Sequence, residues 1–329
     1  MIGAAFTPAQ AQATTATCRE LNIPVTVGLL LPGTVFGKLC VPPRPTHTVQ
    51  LLIPGATYNG TYWDPPTTPG VHSYRKSQNA AGYATLTVDR LGSGRSSVPP
   101  GVTLTALIQA EVMHQVISKL RNGAFGPRFD KVIIVGHSLG SAISVLEAAT
   151  FGKVDGVLLT GIAHRINPLP VAALFTTFYP AALDPVLSRK YLDPVYLTTR
   201  PGTRNADFFL PGKASPEAIA LDEATKDVFA ATEAPDGLGV SVFTPYTLLI
   251  GVPVLLAISR DPLLCDPLLA IDCTSAETVR AAEAPYYSPA ARLRTYLLPG
   301  EFGHSFNYAP NANEFFSAAA AWADEFVGR

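Results

Sequence analysis

The chain has 329 residues, 47% of them hydrophobic, with 24 Lys and Arg against 25 Asp and Glu and a formal net charge of −1. That length can bury a large core, in one big domain or two modest ones. The balanced charge gives no basis for nucleic acid or an anionic membrane surface as a partner. No uninterrupted apolar run approaches the roughly 20 residues of a membrane span.

Ala11-Gln12-Ala13 is a small-x-small site of the kind a signal peptidase cleaves, and the residues after it are polar. The basic n-region is missing, since the first basic residue is Arg19. Residues 1–13 therefore read as the tail of a signal peptide, with residues 14–329 as the folded part; the alternative is a disordered N-terminus. The four cysteines agree with export to an oxidising compartment. They fall as two local pairs, Cys18 with Cys40 and Cys265 with Cys273, and neither spacing is a zinc or redox motif. Two disulfides are the natural reading; four buried thiols in a cytosolic protein are the alternative.

Strand-like runs occur at about 23–30, 34–41, 48–53, 83–88, 131–135, 154–160, 253–259 and 293–298. Most are short, apolar on both faces and bounded by Gly, Pro or Asn. Strands buried on both faces predict a mostly parallel eight-stranded sheet between helices. Helical patterns lie between them. Over residues 104–120, Leu104, Ile108, Val112 and Val116 recur every four residues; residues 141–151 and 311–327 are helical as well. The alternation predicts an α/β fold. From about 165 to 242 the rhythm breaks. That segment is rich in Pro, Leu and Phe, shows no clear sheet strand, and contains a helical stretch at 216–231. It reads as a mainly helical insertion over the carboxyl ends of the strands, where ligands of open α/β sheets bind.

Residues 131–140 read Lys-Val-Ile-Ile-Val-Gly-His-Ser-Leu-Gly. A β-branched run ends in Gly-x-Ser-x-Gly and a helix-forming stretch follows. A sharp strand-to-helix turn of this kind pushes the Ser138 hydroxyl out of the sheet, with Gly136 and Gly140 letting strand and helix pass closely. The helix N-terminus presents free N–H groups beside that oxygen. A Gly/Ser turn that merely joins strand to helix is the bland alternative.

With these residues the chain resembles the α/β-hydrolase fold family, most closely its secreted bacterial esterase- and lipase-like members, from about residue 20 to the C-terminus. The resemblance implies the order nucleophile, acid, histidine. Ser138 is followed by Asp261, directly after a strand at 254–258, and by His304 in Gly303-His304-Ser305. Asp266, in the same loop, is an alternative acid. The oxyanion donors implied are the N–H of Leu139 and that of Ala56 or Thr57, in Pro54-Gly55-Ala56-Thr57-Tyr58. Family members commonly carry His-Gly here; Pro54 stands in place of the His. Tyr58 and Trp63 are either acyl-pocket residues or core aromatics. The stretch Asp89-Arg90-Leu91-Gly92-Ser93-Gly94-Arg95-Ser96 is a structural turn in such proteins; it lacks the spacing of a phosphate loop.

The function implied is a secreted serine hydrolase acting on a hydrophobic carboxylic ester, lipid ester or lactone, without a cofactor. Phe175, Phe178, Phe208 and Phe209 of the insertion favour an apolar small-molecule substrate. Two other readings stay open: the same triad acting on a thioester, amide or carbon–carbon bond or in acyl transfer, and a non-catalytic binding protein on a hydrolase fold. No His, Asp and Glu cluster has metal-ligand spacing, so no metal is expected.

Overall fold

The computed structural model describes residues 15–240 and 245–329, so the cleavage-like site at Ala11–Ala13 lies outside the described residues. The main sheet opens with β1 (Thr17–Val27), β2 (Leu31–Val41), β3 (Thr48–Ile53) and β4 (Ala84–Val88). It continues with β5 (Lys131–His137) and β6 (Gly156–Thr160). A small second sheet holds β7 (Phe178–Pro180), β8 (Tyr196–Thr199) and β9 (Phe229–Ala230), and the main sheet ends with β10 (Val254–Ile258) and β11 (Arg294–Leu297). The eight main strands lie in the order β1-β2-β4-β3-β5-β6-β10-β11. β1 and β2 are antiparallel to their neighbours, and from β4 to β11 every pairing is parallel. All residues of β3, β4, β6 and β10 are buried. Such strands have no solvent face: β6 and β10 are near-continuous apolar runs, while β3 and β4 also bury polar side chains at Thr48, Gln50, Thr85 and Thr87.

Helices cover both faces: α1 (Tyr74–Ala80), α2 (Ala106–Arg121), α3 (Leu139–Thr150), α4 (Pro168–Thr177), α5 (Arg204–Phe208), α6 (Pro216–Ala224), α7 (Ala234–Leu238), α8 (Ala276–Glu283) and α9 (Ala312–Phe326). Thr105 caps α2, its hydroxyl accepting from the Ile108 N–H at 3.3 Å. Residues of α2, α3 and α8 pack into an aliphatic core on one face of the sheet. The other face is aromatic: Trp63, Tyr74, Phe306, Phe315, Phe316 and Trp322 pack there with α1 and α9.

Three expectations are corrected. The first strand is not 23–30 but ends at Val27, because Gly28 turns the chain at φ 56° into a hairpin. Leu29 and Leu30, which made the run look like a strand, are the exposed tip of that hairpin. The helix expected over 216–231 stops at Ala224, and Phe229–Ala230 turns back as β9. The connection between β6 and β10, expected to be mainly helical with no clear sheet strand, also holds β7, β8 and β9, which pair antiparallel within it. Both disulfides are present. Cys18 and Cys40 face each other across β1 and β2, and Cys265 is joined to Cys273.

Candidate active site

The turn from β5 into α3 puts Ser138 at φ 52°, ψ −120°, with helix α3 starting at the next residue. A non-glycine residue at positive φ is uncommon, and such strain persists only where its surroundings enforce it. The Ser138 N–H donates to the Thr160 carbonyl at 2.8 Å, and the Ser138 carbonyl accepts from the N–H groups of Ser141 and Ala142. The flanking glycines leave no alternative. A Cβ at Gly136 would overlap the Gly140 carbonyl, and one at Gly140 would overlap the Ile53 carbonyl at the end of β3. Sequence reasoning put the serine at a strand-to-helix apex, and the geometry is of that kind.

His304 lies in the loop after β11. Its Nδ1 is 2.6 Å from Asp261 Oδ2, with the histidine 5% and the aspartate 1% exposed. Asp261 follows β10, and its other oxygen accepts from the Leu263 N–H at 2.9 Å. The Cys265 sulfur accepts from the Asp261 N–H, so the second disulfide braces the loop that carries the carboxylate. Asp266 does something else: one of its oxygens accepts from the N–H groups of Leu268 and Leu269, closing a turn at the surface. Of the two acids weighed from sequence, Asp261 is the one that meets His304.

Ser138 and His304 line one pocket together with Ala56, Tyr58 and Leu139. The space measures about 900 Å³ including its open mouth. Gly55 abuts the serine, since a Cβ there would lie 3.0 Å from Ser138 Cβ. Among the described residues, neither the Ala56 nor the Leu139 N–H is taken up by a backbone carbonyl. Free donors on two elements that flank one hydroxyl can hold an oxyanion. Gly161, at φ 63°, sits against the histidines; a Cβ there would come within 2.9 Å of both His137 Cε1 and His304 Cε1. His137 is stacked on Tyr62 with centroids 4.2 Å apart, and its Nδ1 lies 3.1 Å from Thr160 Oγ1. Burial, with His304 and Arg204 adding to it, holds the His137 pKa well below the usual range. Protonation of this second imidazole is thus disfavoured beside the first.

The rest of the pocket is apolar. Val171, Leu174 and Phe175 of α4, with Phe178, Phe208 and Phe229, face Leu263 and Leu264 across it. Two residues named from sequence do not line it. Trp63 is fully buried between Tyr62 and Tyr74, with centroids about 5 Å away on each side. Phe209 packs in the same aromatic core as Phe208, but of the two only Phe208 also reaches the pocket. Tyr58 does line the pocket, and its hydroxyl shares a 2.6 Å hydrogen bond with Ser305, the residue after His304.

Sequence reasoning missed two buried ion pairs behind the Pro54–Tyr58 loop. Arg90 pairs with Glu233 and donates to the Gly55 carbonyl at 3.2 Å. Arg204 pairs with Asp222 and donates to Thr57 Oγ1 at 2.9 Å. Their partners lie far away in the chain, so no local pattern announces them. Among the described residues no group of His, Cys, Asp and Glu is arranged to hold a metal ion, and no helix is long and apolar enough to cross a membrane.

Residues 50–313 match the alpha/beta hydrolase family. Among solved structures, an esterase from Thermogutta terrifontis is 16% identical, with a TM-score of 0.64 over 93% of this chain and 98% of that one. A soluble variant of monoglyceride lipase from Saccharomyces cerevisiae is 16% identical, with a TM-score of 0.64 over 97% of each chain. The enol-lactonase from Burkholderia xenovorans LB400 is 14% identical, with a TM-score of 0.59 over 91% of this chain and 98% of that one. No curated protein matches the sequence.

Proposed function

The chain belongs to the alpha/beta hydrolase family, and from that premise we propose that it is an exported serine hydrolase that cleaves hydrophobic carboxylic esters through an acyl-enzyme. One observation carries the reading. His304, paired with buried Asp261 at 2.6 Å, shares an apolar pocket with Ser138, which is held at φ 52° on the turn into α3.

The chemistry follows from the groups present. Ser138 Oγ attacks the ester carbonyl while His304 Nε2 takes its proton. Asp261 at Nδ1 fixes the tautomer and stabilises the imidazolium. The N–H groups of Leu139 and Ala56 bind the oxyanion, with Thr57 as the alternative second donor. His304 then returns the proton to the leaving oxygen, and a water molecule repeats the sequence on the acyl-enzyme. No step requires a cofactor.

The insertion over 165–242 acts as a cap that selects the substrate. Val171, Leu174, Phe175, Phe178 and Phe208 give the acyl chain an apolar wall that carries no charge. Export is supported by the two disulfides. A thioester, an amide or an acyl acceptor other than water would use the same groups, and the wall alone does not choose among them.

A panel of p-nitrophenyl esters from acetate to dodecanoate, with a lactone, a thioester and an anilide, tests the reading. Each buried methylene contributes about 0.8 kcal/mol, so kcat/KM should climb roughly fourfold per carbon until the wall is covered. Preference for a charged acyl group, or a flat profile with the anilide favoured, would contradict it.

A further inference from the structure

Arg204 lies in the cap, fully buried, 147 residues from the loop it touches. Its guanidinium is shared. Nε and Nη2 hold both oxygens of Asp222, at 2.7 and 3.1 Å. Nη1 donates to Thr57 Oγ1 at 2.9 Å, with the Thr57 carbonyl at 3.5 Å and Thr199 Oγ1 at 3.3 Å. Its plane lies over the Tyr58 ring at 4.4 Å and the Phe208 ring at 4.8 Å. Burial opposes its charge, yet pairing with Asp222 holds its pKa above the ordinary value.

The residue it grips is strained. Thr57 sits at φ 62°, a region that a β-branched side chain avoids. A second cap contact fixes the same peptide, since the Asp227 N–H donates to the Thr57 carbonyl at 2.8 Å. Thr57 follows Ala56, which lines the pocket together with Ser138. The conformation of Thr57 therefore sets where the oxyanion donors point.

We infer that Arg204 is a positioning residue: from the cap it locks Thr57 in its left-handed conformation and so aims the oxyanion donors of the 54–58 loop at the substrate carbonyl. This rests on the serine hydrolase reading above. The consequence is that the oxyanion hole is complete only when the cap is seated. Arg suits the task where Lys does not, because one planar fork serves the carboxylate and the hydroxyl together.

The test uses p-nitrophenyl acetate turnover and the affinity of a phenylboronic acid, whose serine adduct carries the tetrahedral oxygen. R204K keeps the charge opposite Asp222 but loses the fork. It should lower kcat by about 10- to 100-fold, the cost of misaimed catalytic groups, with KM within about threefold, and weaken the boronate in parallel. Glycine tolerates positive φ without help, so in a T57G background R204K should cost less than about threefold further. If R204K does not fold, T57A, which leaves the Arg204–Asp222 pair intact, should show the same kcat loss, and T57S should exceed T57A by about fivefold or more because it restores the hydroxyl. The proposal is overturned if R204K leaves kcat unchanged, if it raises KM alone, if its cost is undiminished in T57G, or if T57S is no better than T57A. Full turnover by S138A, with no boronate binding to the wild type, would instead overturn the serine reading on which it stands.

Discussion

An L-residue held at positive φ stores on the order of 1–3 kcal/mol, and Ser138 keeps that angle with its own backbone tied at both ends, to Thr160 on one side and to Ser141 and Ala142 on the other. The neighbouring glycines are there for space: Gly136 and Gly140 where β5 and α3 pass, and Gly161 where a methyl group would wedge between two imidazoles. The acid is the residue at which sequence left a choice. Asp261 and Asp266 lie in one loop, and only contact with His304 separates them. Asp261→Asn should therefore lower kcat by about 10⁴ through the wrong imidazole tautomer. Asp266→Asn should stay within about threefold, because an amide oxygen can still accept from the Leu268 and Leu269 N–H groups and surface substitutions usually cost little. Steady-state kinetics on one activated ester checks both, and the reverse ranking would reassign the acid. Ser138, Asp261 and His304 were legible because each follows a recognisable strand. Arg204 and Arg90 were not, because a buried arginine is explained only by partners such as Asp222 and Glu233, which are 18 and 143 residues away.

At the scale of elements, burial on both faces made β3, β4, β5, β6 and β10 readable as strands, and it gave the parallel sheet. β7, β8 and β9 were invisible because they are two to four residues long, too short for any periodicity. Leu29 and Leu30 misled in the opposite direction, being apolar and exposed at a hairpin tip. α4 is the most unusual helix. It carries no charged residue and none of its residues is fully buried, and its Val171, Leu174 and Phe175 form one wall of the pocket. Replacing Phe175 or Phe178 by Ala should shift the preferred acyl length by about 1–3 kcal/mol per lost contact, seen in kcat/KM across the ester series. Phe209→Ala is the contrast. Phe209 faces the aromatic core, so that change should cost about 3–5 kcal/mol of stability and leave the chain-length profile in place. An altered profile for Phe209→Ala with none for Phe175 and Phe178 would move the acyl site elsewhere.

At the scale of the molecule, the sheet brings three distant segments to one edge. β5 delivers Ser138, β10 delivers Asp261 and the loop after β11 delivers His304, all at the carboxyl ends of parallel neighbours or near-neighbours in the order β5-β6-β10-β11. The connection between β6 and β10 returns over that edge, and its Arg204 and Glu233 reach the loop after β3 directly or through Arg90. The two disulfides tie the antiparallel edge of the sheet and the acid loop, outside the reacting groups themselves. The proposed chemistry turns on one atom, the Ser138 hydroxyl oxygen. A fluorophosphonate probe should add a single label to the protein, peptide mapping should find it on Ser138, and S138A should lose both the label and ester turnover, by about 10⁴- to 10⁶-fold, while its thermal midpoint stays near that of the wild type. Labelling at another residue, or S138A retaining more than about a tenth of wild-type turnover against that expected loss, would contradict it.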